Sequence, residues 1–298
     1  MTSEQSSRYG IRAAWIGLAA MAVTALLQLV IVAASGSIAL LADTVHNIGH
    51  AATTIPLIVA FRLGRLAATK RYPYGYRRAE DLAGLFISFV IALSAVVIVV
   101  ESLTSLVNPP RLTSLGWVLT AGVVGAIGNE LTAIYRIRAG RRIGSAALIA
   151  EGQHARIDGF TSIGVVLGVI GVWLGLPAAD AIVGLIIALI IVTVGVNSLR
   201  VTLRRLLDGV DDGLIDQIAA RAAEVDEVAA ADRPRARWSG HRLLAEIDIA
   251  VAPDIDVGRA QRVADRVERH LRTTVAHLDS VTVRLCAASE ESAARLPG

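Results

Sequence analysis

Four side chains that favour metals recur in two pairs, each spaced one helical turn apart. His46 and His50 lie in "LADTVHNIGH" (41–50), and His154 and Asp158 lie in "EGQHARIDG" (151–159). Both stretches sit within otherwise apolar runs. A spacing of four places both members of a pair on one helix face. A charged side chain at the centre of a membrane helix costs about 2.5–3.5 kcal/mol on insertion scales, so it needs a partner or a function. Three imidazoles and one carboxylate form a tetrahedral donor set that suits Zn²⁺. The plain alternative is that each histidine hydrogen-bonds to a neighbouring helix; two equally spaced pairs at matching depth favour the metal. Asp43 shares a face with His46, and is either a carboxylate orienting an imidazole or a helix-start residue.

The surroundings of the two pairs are alike. "ADTVHNIGHAATTI" (42–55) and "AEGQHARIDGFTSI" (150–163) share the alanine, an acidic residue, the first histidine, Thr53/Thr161 and Ile55/Ile163. His50 falls about 13 residues into its run and Asp158 about 13 into its own; at 1.5 Å per residue both reach the bilayer middle. Pairs meeting there from antiparallel helices fit an inverted-repeat transporter with a midplane site.

The elements that must position them are membrane helices. The 298 residues are 54% hydrophobic and 18% charged, which places the chain in the membrane class. Apolar runs fall at 11–35, 37–62, 82–107, 113–135, 145–175 and 178–200. Each can cross a hydrocarbon core that takes about 20 helical residues. The first is too long for a signal core and is read as a retained helix. Arg8 and Arg12 precede the first run. Arg62, Arg65, Lys70, Arg71, Arg77 and Arg78 separate the second from the third. Arg136, Arg138, Arg141 and Arg142 separate the fourth from the fifth, and Arg200, Arg204 and Arg205 end the sixth. The alternate connections carry only Arg111, so both termini are expected in the cytoplasm. A lone cysteine, Cys286, excludes an intramolecular disulfide, and no nucleic-acid motif accompanies the arginines.

From Asp208 the pattern becomes that of a soluble domain. Ile215, Ile218, Ala219, Ala222 and Val225 mark a helix. A strand follows near Val228–Trp238, and Ile247, Ile249 and Val251 alternate as a half-buried strand would. Val257 to Leu271 reads as a second amphipathic helix, and Val281, Val283 and Leu285 as a last strand. The order α-β-β-α-β suits helices on one face of a small sheet. The expected division is 1–207 membrane domain, 208–290 soluble domain and 291–298 tail. Other polar residues in the runs are Glu101, which could cap or pair with Arg111, then Asn129, Glu130 and Arg156; Arg156 points off the His154/Asp158 face and is expected to pair with Glu130 or Glu151.

The chain resembles the cation diffusion facilitators, dimeric antiporters of zinc and related divalent metals against protons. The likeness is carried by "SIALLADTVHN", "YPYGYRRAEDL", "VVESLTSLVNPP", "EGQHARIDGFTS" and "LLDGV". It implies a six-helix transmembrane domain followed by a cytoplasmic ferredoxin-like dimerisation domain, hence a homodimer in the lipid bilayer. It places the transport site on His46, His50, His154 and Asp158. The family's usual aspartate stands here as His50, leaving a site charge of −1 and favouring Zn²⁺, then Co²⁺, Ni²⁺ or Fe²⁺, over oxygen-seeking Mn²⁺. Arg78 and Asp208 fall on a charge interlock near the dimer axis. Positions that bridge metals in the relatives' soluble domains read Ala231, Asp248, Gln261 and Arg284, implying dimerisation without a zinc bridge. His241, His270 and His277 fall off that pattern and are expected at the surface or a hinge.

The expected activity is efflux of a divalent transition metal, carried as substrate with no prosthetic group, in exchange for protons across the plasma (inner) membrane. An intramembrane metalloenzyme is disfavoured because four protein ligands close the coordination sphere and HExxH is missing. A non-transporting metal sensor is the other alternative.

Overall fold

The computed structural model describes residues 3–35, 53–107, 115–176 and 179–288. Asp43, His46, His50, Arg111 and the expected tail 291–298 lie outside them, as does the side chain of Glu101. The chain divides into two compact units, residues 1–202 and 203–298.

The described part of the first unit is built from α1 (Ser3–Ser35), α2 (Thr54–Leu63), α3 (Ala79–Val107), α4 (Leu115–Ile143), α5 (Ala146–Trp173) and α6 (Ala179–Leu206). Among the described residues, α1, α3, α4 and α6 are long and apolar enough to cross a membrane. The 28-residue α5 has the length but carries Glu151, Arg156 and Asp158. Leu26, Val30, Phe89 and Leu189 are more than half exposed, as lipid-facing residues of such helices are. Leu57 and Phe61 of α2, Ile87 and Ile91 of α3, Ile143 of α4, Leu148 and Ile157 of α5 and Ile191 of α6 form the core.

Two helix limits differ from expectation. The first helix begins at Ser3, so Arg8 and Arg12 lie on it rather than before it, and Arg8 pairs with Glu4 at 2.6 Å. The fourth runs eight residues past 135, so Arg136 and Arg138 to Arg142 are helical. Gly144, at φ +77°, turns the chain after α4, and the Ser145 amide donates to Gly140 O at 2.9 Å. That is the six-to-one bond of a glycine-stopped helix end. Ser145 then caps α5, its Oγ accepting from the Leu148 amide at 3.1 Å.

Small residues set the spacing of α4 and α5. A Cβ on Gly122 would lie 2.8 Å from Val166 Cγ2, one on Gly140 2.9 Å from the Ile149 amide, and one on Gly152 3.0 Å from the Ile137 amide. Backbone thus meets backbone-level atoms, the close approach that small residues allow between membrane helices.

The second unit is α7 (Leu214–Ala223), β1 (Ala230–Ser239), β2 (Arg242–Val251), α8 (Val257–Thr274) and β3 (Leu278–Ala287). The expected α-β-β-α-β order holds. The sheet order is β1-β2-β3, with β1 antiparallel and β3 parallel to β2. Ile218 and Ala222 of α7 and Val263, Val267 and Leu271 of α8 pack on Leu243, Ile247 and Ile249. Asp256 caps α8 by accepting from the Arg259 amide at 3.0 Å. The register slips between Asp232 and Arg235, where Arg233 has φ +47° and Pro234 follows; a bulge on an edge strand is where a proline is tolerated.

Central β2 is more buried than the expected half-buried strand. Asp248 pairs with Arg233 at 2.8 Å and Arg284 at 3.8 Å, so its carboxylate faces two guanidiniums. His241, expected at the surface or a hinge, stands in the β1–β2 turn and is buried at 6% exposure. His270 is at the surface, 3.1 Å from Glu224.

Burial, with the nearby Arg242 and Arg205 charges, holds the His277 imidazole below its ordinary pKa. Its ring centroid lies 6.0 Å from that of Trp238. Unfolded histidine titrates near about 6.5, so the stability from neutral His277 is complete above that pH and is lost as pH falls through the lower folded value. Glu227, held below the carboxylate range by hydrogen bonds from Arg266 and Arg259, loses its share only in stronger acid. We therefore expect amide exchange of β2 in the full chain, corrected for intrinsic rate, to quicken between pH 7 and pH 5. His277→Gln should flatten that dependence. Equal slopes in both proteins would assign the acid sensitivity elsewhere.

Candidate metal-transport site

His154 and Asp158 stand one turn apart on α5 and are buried at 1% and 4% exposure. Next to Asp158 in the sequence, α5 comes close to α4: a Cβ on Gly159 would lie 3.6 Å from Asn129 Cβ and from Ala126 O. Thr161 Oγ1 and Ser162 Oγ donate to the Asp158 carbonyl at 2.8 and 3.0 Å, which keeps those hydroxyls satisfied within the helix. The expected partners His46 and His50, and Asp43, lie outside the described residues. Among the described residues no three His, Cys, Asp or Glu side chains converge as a metal site. The described half therefore supplies one imidazole and one carboxylate.

Arg156 pairs with Glu130 in a two-pronged contact, Nε to Oε2 at 3.1 Å and Nη2 to Oε1 at 2.8 Å. This is one of the two expected partners and leaves Glu151 for another cation. That cation is Arg136, which had been counted with the cytoplasmic connection. Arg136, Glu151 and Thr54 are all fully buried. Arg136 Nη1 donates to Glu151 Oε1 at 3.2 Å and to the Met21 sulfur at 3.3 Å; Nη2 donates to Thr54 Oγ1 at 2.9 Å. Thr54 Oγ1 donates to Glu151 Oε1 in a short contact, and Thr53 Oγ1 lies 3.3 and 3.4 Å from the two carboxylate oxygens. A Cβ on Gly17 of α1 would collide with the guanidinium, so the site is cut to fit it.

Positive-inside counting treats every arginine as aqueous, which is why Arg136 was misplaced; Arg138, Arg141 and Arg142 are exposed as expected. The helical period does carry the signal. Gly122, Gly125, Asn129, Thr132, Arg136 and Gly140 recur at three and four residues, and all are buried.

Of the expected charge interlock, Arg78 lies in the first unit and Asp208 in the second. Asp208, at φ +60°, has its Oδ2 3.9 Å from Arg237 Nη1. In the turn between α2 and α3, the Tyr72 and Tyr76 rings pack tilted at 42° with centroids 4.6 Å apart.

A helical membrane unit with a buried histidine–aspartate pair, followed by a small α+β domain, has the build of a cation transporter. Residues 14–207 match the family described as cation efflux transmembrane domain, and residues 210–287 match the cation efflux protein, cytoplasmic domain. The protein named "Probable cation efflux system protein Rv2025c" of Mycobacterium tuberculosis (strain ATCC 25618 / H37Rv) is 47% identical over 94% of this chain and 84% of its own. Manganese efflux system protein MneP of Bacillus subtilis is 25% identical over 83% and 86%. Magnetosome protein MamB of Magnetospira sp. is 24% identical over 84% and 85%. The chain belongs to the cation efflux family, the cation diffusion facilitators, which are multi-pass membrane transporters of divalent metals.

Removing one partner of a buried ion pair leaves an uncompensated charge and costs about 3–5 kcal/mol, whereas replacing both by apolar side chains is often neutral. Arg136→Met should accordingly lower the thermal unfolding temperature of the membrane unit sharply. Adding Glu151→Met should recover most of the loss. Equal melting of the single variant and the parent would show that the pair adds nothing to stability.

Proposed function

We propose that this chain exports a divalent transition-metal cation, Zn²⁺ first, in exchange for protons, with His46, His50, His154 and Asp158 as the binding set. The observation that carries the reading is the burial of His154 and Asp158 on one face of α5, inside the membrane unit of a cation efflux chain. An imidazole must be deprotonated to bind metal, so protons and metal compete for the same nitrogens. With an unperturbed pKa near about 6.5, histidine makes that exchange close to neutral pH. Metal loads from the cytoplasm and displaces protons; the helices rock, and outside protons displace the metal. Both termini are cytoplasmic, the membrane is the plasma membrane, and the soluble unit holds two copies together, with Arg78 and Asp208 as the interlock beside the axis. Asp43 orients an imidazole or stands in as a ligand.

Mn²⁺ is the second reading, favoured by relatives named as manganese efflux systems. Three nitrogen donors argue for the borderline metals over Mn²⁺, which prefers oxygen. Flux into liposomes containing the purified protein decides between them, measured for Zn²⁺, Co²⁺, Ni²⁺, Fe²⁺ and Mn²⁺ with and without a pH gradient. We expect saturable Zn²⁺ flux driven by the gradient and abolished by His154→Ala or His50→Ala. Flux indifferent to the gradient would rule out exchange, and Mn²⁺ flux above that of Zn²⁺ would reverse the metal order.

A further inference from the structure

The transport reading leaves the Arg136–Glu151 pair without a task, although Arg136, Glu151 and Thr54 are fully buried. Its position relative to the metal ligands follows from helix geometry. Glu151 precedes His154 by three residues and Asp158 by seven, so all three share one face of α5. Glu151 lies about 4.5 Å nearer the start of that helix than His154. In the sequence Thr53 and Thr54 follow His50 by three and four residues, and they stand at the start of α2. The end of α2 and the end of α4 lie together, because a Cβ on Gly10 would touch both Phe61 and Ile143. That end also carries exposed Arg65, Arg138, Arg141 and Arg142, the side assigned to the cytoplasm. A cation travelling from there along this face meets Glu151 before it meets His154.

What it would meet is a set of oxygens: the two of the Glu151 carboxylate, the Thr54 hydroxyl on one of them and the Thr53 hydroxyl near both. In the structure a cation already occupies that set. The Arg136 guanidinium spans Glu151 Oε1 and Thr54 Oγ1 at 3.2 and 2.9 Å.

We infer that Glu151, with the hydroxyls of Thr53 and Thr54, is a loading subsite for the divalent cation on its way to His154 and Asp158, and that Arg136 is the tethered cation that keeps it shut. The inference rests on the transport reading above. Withdrawing Arg136 with nothing in its place would strand a buried carboxylate. A divalent cation arriving at Glu151 supplies the missing positive charge, so the pair parts when substrate is present and stays closed when it is absent. Oxygen donors of this kind take divalent cations with little discrimination, and the imidazoles beyond then select among them.

The test uses the full-length protein in liposomes, with Zn²⁺ flux measured against Zn²⁺ concentration for the parent, Arg136→Met/Glu151→Met, Arg136→Gln/Glu151→Gln and His154→Ala. Zn²⁺ binding to the same proteins is followed by calorimetry. The double variant keeps the site apolar and packed. Arg136→Gln/Glu151→Gln removes both charges while keeping polar groups in the site, and serves if the apolar double variant does not fold. We expect both to bind Zn²⁺ within about threefold of the parent affinity, with KM for flux raised at least tenfold. Unchanged KM and kcat in a folded variant would overturn the inference, as would a leak that does not saturate. His154→Ala separates the two levels of argument: its flux must vanish if the transport reading holds. Parent-like flux in His154→Ala would remove that reading and the subsite with it.

Discussion

Charge inside a low-dielectric layer must be compensated within the protein, and in this chain that requirement is met chiefly around one guanidinium. Arg136 on α4 reaches Glu151 on α5, Thr54 on α2 and the Met21 sulfur on α1. Four helices thereby share one polar knot. Its members cannot separate singly, because an ion left unpaired in such surroundings keeps its full desolvation cost. The glycines serve the same constraint, since Gly17 leaves the volume the guanidinium fills and Gly152 packs against the Arg136 side chain.

α5 is held to its two neighbours α4 and α2 in different ways. His154 and Asp158 ride on α5, which interlocks with α4 through Gly122, Gly140 and Gly152 at backbone-level approach. α2 meets α5 differently, through the Thr54 hydroxyl, with that of Thr53 just before it, on the Glu151 carboxylate. One junction of α5 is close apolar packing and the other is a buried polar tie.

Much of this was legible beforehand. The α-β-β-α-β order follows from periodicity in the soluble unit, where apolar stripes such as Val263, Val267 and Leu271 have few competing signals. Arg156 was expected to pair with Glu130 or Glu151, and pairs with Glu130, because a charge off the ligand face still needs a neighbour. His154 and Asp158 share a buried face as their spacing requires. What escaped was context. Arg136 was placed in an aqueous connection because arginines near the end of an apolar run usually mark one; its burial depends on Glu151, 15 residues later and on another helix. For His241 and Asp248 the expectation came from the family resemblance alone, the first falling off the metal-bridging pattern and the second on it. His241 is buried in the β1–β2 turn, and Arg233 and Arg284 from the flanking strands pair with Asp248. A local pattern reports which face a residue occupies but not which side chain meets it there.

The most direct measurement is X-ray absorption at the zinc edge of the loaded full-length protein, beside His154→Ala. Three nitrogens and one oxygen near about 2.0 Å, with one nitrogen lost in the variant, is the predicted result. A sulfur shell from Cys286, an all-oxygen shell, or a spectrum indifferent to His154→Ala would contradict the assignment of the cation to this site.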